Sequence, residues 1–492
     1  MTKSYIPNWL KQRVFLTPSR VALYAEDTSL SFSELYEKVI DRCNRLTSIQ
    51  LQEESYVGVL INNTKEAVII LHSLQQLGIT AVLLNHRLTP IEMGFQISDI
   101  GMNTILYDQE FESKMNELKN VTPRLRMISF DSIDHLPLAN RFIPKERFEM
   151  DATCSIMYTS GTTGRPKGVQ QTFGNHWWSA MGSVLNLGLT EKDEWLCAVP
   201  LFHISGYSIL MRSVLYGMPI RLYKKFDEKK VNQDILAGSG TIMSVVSSML
   251  HRLIDDLDSI QYPDSFRCML LGGGPAPKPL LEECIEFNIP VYQTYGMTET
   301  ASQIVTLPPE YSISKLGSAG KPLFPCEIEI WDKRKKLSPF EEGEIVVRGE
   351  NVTQGYYNRE EANKENFVDG WFLTGDIGFM DEEGFLFVKD RRSDLIISGG
   401  ENVYPAEIEE VLLGHPLVKE AGVTGIESER WGQIPVACVV ISKEIKSEEL
   451  IAYSREKLAG YKVPRQIYFV DSLPRNASNK LLRRELRKWI DK

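Results

Sequence analysis

A chain of 492 residues is long enough for two or three domains with sizeable cores. Its 43% apolar and 24% charged residues are ordinary for a globular protein, and a net charge of −10 argues against nucleic acid as a partner, since phosphate neutralisation needs clustered Lys and Arg. The seven Cys are scattered and odd in number with no metal-ligand spacing, no apolar run approaches the ~18 residues of a membrane span, and no cleavable leader opens the chain, so a cytoplasmic protein with reduced thiols is expected.

Residues 1–150 alternate helix and strand signals. LSFSELYEKVIDRCNRLTS predicts a helix: Ser31 or Ser33 can cap it, and Leu35, Val39 and Leu46 recur at helical spacing. YVGVLI reads as a buried strand, KEAVIILHSLQQLG as an apolar helix that Gly78 can close, and ITAVLLN as the next strand. A strand–helix–strand run with a helix-length crossover implies a parallel sheet with covered faces. MNTILYD and LRMISFD continue the pattern.

The densest motifs lie in residues 151–310. An apolar run, CSIMY, enters the loop YTSGTTGRPKGV (Tyr158 to Val169), and a strand-like VQQT leaves it. Gly161, Gly164 and Gly168 permit close backbone approach, four hydroxyls can donate to phosphate oxygens, and Arg165 and Lys167 supply charge. The loop is not a Walker A loop: the fifth residue after Gly161 is Pro166, and no helix follows. From composition alone a flexible surface turn stays open. A helix is predicted around NHWWSAMGSVLNLG, then a strand WLCAVP, then PLFHISG, where Pro200 and Gly206 bracket Phe202 and His203. FRCMLLGGGPAP reads as a strand running into three glycines, against which a flat ligand can lie. IPVYQTYGMTET is another strand, with a turn at Gly296 and a polar Thr-Glu-Thr.

Residues 311–391 read as a smaller β-rich region, from CEIEIWD, GEIVVRG, WFLTGDIGFMD and GFLFVKD. DRRSD (390–394) breaks the apolar pattern and is the candidate linker; the last ~100 residues alternate strands and helices as a separate small α/β domain.

Taken in order, YTSGTTGRPKG, YGMTE (295–299), WFLTGD (371–376), DRRSDLIISGGENVYPAEIE (390–409) and LPRNASNK (473–480) resemble the motifs of the adenylate-forming family. That family comprises acyl-CoA synthetases, luciferases and peptide-synthetase adenylation domains, and the resemblance covers nearly the whole chain. It implies an α/β fold: a large N-terminal domain (1–390) of parallel-sheet subdomains plus a small β-barrel-like region, a hinge (391–394), and a small mobile C-terminal domain (395–492). It also implies two half-reactions. A carboxylate attacks the α-phosphate of Mg·ATP to give acyl-adenylate and pyrophosphate; the thiol of coenzyme A then displaces AMP. TYGMTETASQIVTL and SLPRNASNKLLRREL are most similar to the branch that activates 2-succinylbenzoate for menaquinone biosynthesis.

Carried over residue by residue, Thr159, Ser160, Gly161, Thr162, Thr163, Gly164 and Lys167 would hold the β- and γ-phosphates. Gly272, Gly273, Gly274 and Tyr295 would sandwich the adenine. Thr298 would donate to the α-phosphate, and Glu299 would bind Mg²⁺, a hard cation that takes carboxylate oxygen. Asp376 would accept the ribose hydroxyls, with Arg391 beside it. Lys480 would bridge the substrate carboxylate and α-phosphate as catalytic lysine. Phe202, His203, Arg212 and Ser302 would line the acyl pocket, where His203, Arg212 and Ser302 are candidates to meet a second carboxylate; His203 is also a catalytic candidate. Gly399 and Gly400 would line the coenzyme A tunnel, and Ser393 would be the hinge.

Two departures stand out. Asn479 replaces the family's usual Gly before the catalytic lysine, and Ser393, followed by Asp394, replaces its usual Asp or Lys hinge. His203 stands where amino-acid adenylation domains commonly place an acid, which argues against an amino-acid substrate. Blander readings exist for single residues: Thr298-Glu299 as a helix start, Asp376 as a turn residue, Arg391 as a solvated linker charge, Gly399 and Gly400 as a simple turn, and Lys480 as part of a basic amphipathic helix. Competing functions are ligation of another aromatic or fatty acid, nucleotide binding without catalysis, and phosphotransfer, which would yield ADP. The sequence leaves oligomeric state open, a homo-oligomer included.

Overall fold

The computed structural model describes residues 3–26, 28–139, 142–159, 166–273, 276–391, 394, 396–398, 401–428, 431–458, 460–475 and 481–490. The predicted parallel sheet of the first 150 residues forms, and it takes in the strand that enters the Gly-rich loop. Its order is Lys167–Thr172, Thr153–Thr159, Thr80–Leu84, Tyr56–Leu60, Thr104–Tyr107 and Arg126–Ser129. Every neighbouring pair is parallel except the first, Lys167–Thr172 against Thr153–Thr159, so the two arms of the loop make an antiparallel ladder.

Local chemistry explains the elements. Helix Phe32–Ser48 starts at Ser31, whose hydroxyl accepts from Glu34 N while the Glu34 carboxylate accepts from Ser31 N, which settles the choice between Ser31 and Ser33. Helix Lys65–Leu77 buries every residue from Ala67 to Leu77 and ends at Gly78, whose φ of 76° suits glycine. A helix buried on all faces needs cover on all sides. Helix Phe32–Ser48 and helix Ile204–Tyr216 both reach it, through Ser73 Oγ donating to Val39 O and Gln75 Nε2 donating to Tyr207 OH.

A second sheet begins with six parallel strands: Val21–Ala25, Ile220–Leu222, Trp195–Cys197, Ile242–Val246, Cys268–Gly272 and Val291–Met297. It continues antiparallel through Ser302–Leu307 and Ser318–Pro322. Strand Ser318–Pro322 pairs on its other side with Leu386–Arg391, which leads into Trp371–Met380, Gly343–Gly349 and Cys326–Asp332. The predicted β-rich region is therefore an antiparallel array hydrogen-bonded to the parallel sheet, and this join brings residues near 376 to residues near 295.

The C-terminal sheet has the order Glu401–Val403, Ile396–Ser398, Gly432–Ile441, Val418–Ser428, with Ile467–Phe469 parallel to Gly432–Ile441. It is covered by helices Pro405–Leu413, Ser447–Arg455 and Arg483–Ile490. Tyr404 OH donates to Glu342 Oε2 at 2.9 Å, linking it to the antiparallel region. Among the described residues no helix is long and apolar enough to cross a membrane, and all seven cysteines are free and buried.

Two buried histidines make stability pH-dependent. Burial pushes His72 down to about 4 and His176 down to about 3, from an ordinary value near 6.5. Below about pH 6.5 the unfolded chain binds protons that the folded chain refuses, so stability falls as pH falls from 6.5 towards 4. A melting series over this range should show Tm dropping with pH, and His72→Gln should flatten the slope; an unchanged slope would remove His72 from the account.

Candidate active site

Thr159 ends one arm of the Gly-rich loop and pairs in register with Lys167 at the start of the other. Ser160, Gly161, Thr162, Thr163 and Gly164 lie outside the described residues. The base of the loop is fixed from below. Tyr158 OH donates to Asp99 Oδ2 at 2.7 Å, and Arg359 Nη2 donates to Asp99 Oδ1 at 2.7 Å. Burial and the nearby Asp99 carboxylate push the Tyr158 phenol well up, so it stays a neutral donor.

Lys167 Nζ lies 5.0 Å from the centroid of the Tyr356 ring, within cation–π range. The hydroxyl of the same Tyr356 donates to Glu299 Oε1 at 3.0 Å. One aromatic side chain thus holds the lysine of the loop beside the predicted metal carboxylate. Glu299 is only 8% exposed. Among the described residues no three His, Cys, Asp or Glu converge as a metal cage. A single buried carboxylate suits Mg²⁺, which commonly takes one or two protein carboxylates and completes its shell with substrate phosphates and water.

Thr298–Thr300 is one short turn between strands Val291–Met297 and Ser302–Leu307. It is not the start of a regular helix. Gly296 is required here, because a Cβ would sit 2.1 Å from Ser302 O across the ladder. Gly272 ends its strand and Gly273 has φ 91°, open to glycine and strained for other residues; Gly274 lies outside the described residues. Tyr295 OH donates to Asp376 Oδ2 at 2.8 Å, and Asp376 is the register partner of Arg391 across the ladder. Three residues predicted for adenine and ribose from distant motifs are therefore adjacent.

At the predicted acyl pocket, Phe202 is buried and edge-on to His86, with ring centroids 4.8 Å apart. His203 begins helix Ile204–Tyr216. From that helix Ser208 Oγ donates to Ser302 Oγ at 3.3 Å. Arg212, one turn further on, is 2% exposed and faces the Trp195 ring at 5.3 Å. Its Nε and Nη2 have no hydrogen-bond partner among the described residues, and burial lowers its pKa. Ser393, Gly399, Gly400 and Lys480 lie outside the described residues. Arg475 and Leu481, flanking 476–480, pair as an antiparallel bridge, and Leu482 N donates to Pro474 O at 2.9 Å.

Sequence reasoning missed Tyr356, Ser208 and Gln171. The only signal for Tyr356 was an aromatic doublet after a glycine, GYY (355–357); Gln171 was a polar residue at an inward strand position.

The two arms of the Gly-rich stretch, the Tyr295–Asp376 pair and the buried Glu299 carboxylate make up the candidate nucleotide-activating site. Residues 10–357 match the AMP-binding enzyme family and residues 407–480 match the AMP-binding enzyme C-terminal domain. The chain belongs to the AMP-binding, adenylate-forming family. It is similar to 2-succinylbenzoate–CoA ligase of Geobacillus kaustophilus (strain HTA426), at 56% identity over 489 residues, 99% of this chain and 98% of that protein. It is also similar to o-succinylbenzoate CoA synthetase of Bacillus subtilis in several complexes. The structure with the acyl-adenylate intermediate OSB-AMP gives a TM-score of 0.93 at 50% identity, covering 98% of both chains. The complex with ATP and magnesium ion gives 0.93 at 50% identity, covering 98% of this chain and all of that one. A double mutant bound with its product analogue OSB-NCoA gives 0.77 at 50% identity, covering 98% of both.

Proposed function

We propose that this chain is an AMP-forming acid–thiol ligase that converts 2-succinylbenzoate, ATP and coenzyme A into 2-succinylbenzoyl-CoA, AMP and pyrophosphate for menaquinone biosynthesis. The observation that carries the reading is the convergence of Lys167, Tyr356 and Glu299 at one end of the site with Tyr295, Asp376 and Arg391 at the other. That span suits a nucleoside triphosphate whose α-phosphate lies between. The seven buried, reduced thiols support a cytoplasmic setting.

In the first half-reaction a carboxylate oxygen bonds the α-phosphorus as the bond to pyrophosphate breaks. Asp376 and Tyr295 hold the nucleoside, Thr298 orients the α-phosphate, and the 159–167 loop with Lys167 takes the charge of the departing pyrophosphate. Mg²⁺ held at Glu299 supplies charge neutralisation for the phosphates. Lys480 lends its ammonium to the carboxylate and α-phosphate as charge passes between them. In the second half-reaction the thiol sulfur bonds the acyl carbon and AMP leaves. The acyl-adenylate hydrolyses if wetted, so Phe202 and His203 serve to keep water out.

The substrate keeps a second carboxylate after activation. Arg212 supports this choice: a buried guanidinium whose Nε and Nη2 have no partner among the described residues favours an anion, and Ser208, one turn earlier on the same helix, hydrogen-bonds Ser302. An assay with 2-succinylbenzoate, ATP, Mg²⁺ and coenzyme A should yield AMP and the thioester by mass. ADP would point to phosphotransfer, and failure to bind ATP in calorimetry would point to a non-catalytic protein. Arg212→Met should lower kcat/KM for 2-succinylbenzoate by about 30-fold or more, the scale of losing one partner of a buried charge pair. It should barely change the rate with an analogue bearing a single carboxylate. Equal losses on both acids would remove Arg212 from recognition.

A further inference from the structure

The turn that carries Thr298 and Glu299 is held by its carbonyl groups. Gln171 Nε2 donates to Thr298 O at 2.8 Å, Thr353 N to Glu299 O at 2.7 Å, Asn351 Nδ2 to Thr300 O at 2.9 Å and Ser179 Oγ to Ala301 O at 2.6 Å. Four successive carbonyls are thus bound by donors from three other segments of chain. The turn needs such restraint, because Ala301 and Ser302 have φ of 52° and 109°, the left-handed region that side chains disfavour.

Gln171 differs from the other three donors in having a polar chain behind it. It is fully buried opposite Ser155 in the ladder. Thr298 O can only accept, so the Gln171 amide must present its NH₂ there and its oxygen to Ser155, whose Oγ donates to it at 2.9 Å. Ser155 Oγ then accepts from His176 Nε2 at 3.2 Å. This fixes His176 as the Nε2–H form, with Nδ1 lacking a partner among the described residues. Burial keeps that ring neutral at working pH. Every group in the relay from His176 to Ser155 to Gln171 to Thr298 has one consistent orientation.

We infer that Gln171 is a positioning residue for adenylation, setting the Thr298–Glu299 peptide through its side-chain amide with Ser155 and His176 behind it. This rests on the proposed roles of Thr298 and Glu299. Gln171 is fully buried and acts through the Thr298 carbonyl. Its effect is to keep the α-phosphate donor and the metal carboxylate in register, a task that outer-layer hydrogen bonds perform at metal sites.

The test uses Gln171→Met, which keeps the length and removes the amide, and Ser155→Ala, which removes a single hydroxyl should the first variant fail to fold. In metal-free protein, amide hydrogen exchange over 297–302 should quicken by about tenfold or more while the rest of the sheet is unchanged. The Mg²⁺ concentration for half-maximal ATP–pyrophosphate exchange should rise about tenfold and adenylation should slow about 10- to 100-fold in Gln171→Met, with a smaller shift of the same sign in Ser155→Ala. Thioester formation from supplied acyl-adenylate should stay within about twofold, because that step does not need the metal-bound pyrophosphate. Wild-type exchange and Mg²⁺ dependence in either folded variant would overturn the inference, as would equal loss of both half-reactions. Glu299→Gln run in parallel separates the two levels. If it leaves the Mg²⁺ requirement unchanged, the role given to Glu299 fails, whereas fast exchange confined to 297–302 would still identify Gln171 as the clamp of the turn.

Discussion

Lys480→Ala is expected to slow adenylation by about two to three orders of magnitude, the scale of removing one transition-state donor. Thioester formation from supplied acyl-adenylate should be nearly unaffected. The asymmetry follows from chemistry: only the first step brings two anions together, and only that step needs a mobile ammonium between them. The surroundings suit the role. Arg475 and Leu481, the described residues on either side of 476–480, pair as an antiparallel bridge. Helix Arg483–Ile490 begins only three residues after Lys480, which argues against reading Lys480 as one of its solvated charges. Stopped-flow pyrophosphate release and single-turnover thioester formation separate the steps; equal loss in both would remove the lysine from adenylation.

Ser393→Pro is expected to give the converse phenotype, adenylation retained and thioester formation lost, because proline fixes φ at the proposed pivot. The anchors on either side locate that pivot. Arg391 is the last residue of strand Leu386–Arg391, in register with Asp376. At the other end of the proposed hinge, the Asp394 carboxylate accepts from Arg483 Nη1 at 3.1 Å. A rotation between the domains therefore has residues 392 and 393 to work with. The rotation must break the hydrogen bond that Tyr404 OH donates to Glu342 Oε2. The arrangement is also closer to the relative's acyl-adenylate complex, at a TM-score of 0.93, than to its product-analogue complex, at 0.77. Loss of both half-reactions together, or of neither, would argue against rotation about Ser393.

Much of this molecule is legible in its residues because much of it is local. Periodicity and caps place helices Phe32–Ser48 and Lys65–Leu77, and apolar runs place the parallel strands. Gly273 is tied to a φ that other residues adopt only with strain, and Gly296 to a close approach that leaves no room for a Cβ. The motif order leads to Tyr295, Asp376 and Arg391, though nothing in their spacing says that they meet; strand Ser318–Pro322 brings them together by pairing with both sheets. Tyr356, Gln171 and Ser208 stayed hidden for the same physical reason. Each acts through a partner 57 or more positions away, Glu299, Thr298 and Ser302, and such pairings leave no periodic trace in a single sequence.

The short interval between the Arg391 and Asp394 anchors has a kinetic meaning. Two residues supply about four soft backbone torsions, so passing from one domain arrangement to the other is a torsional change rather than a diffusive search. On the proposed role, Lys480 would meet the phosphates intramolecularly, at an effective concentration of about millimolar or above. On the proposed rotation, the delay between the two chemical steps would be set by a rotational barrier within the chain and would not vary with enzyme concentration.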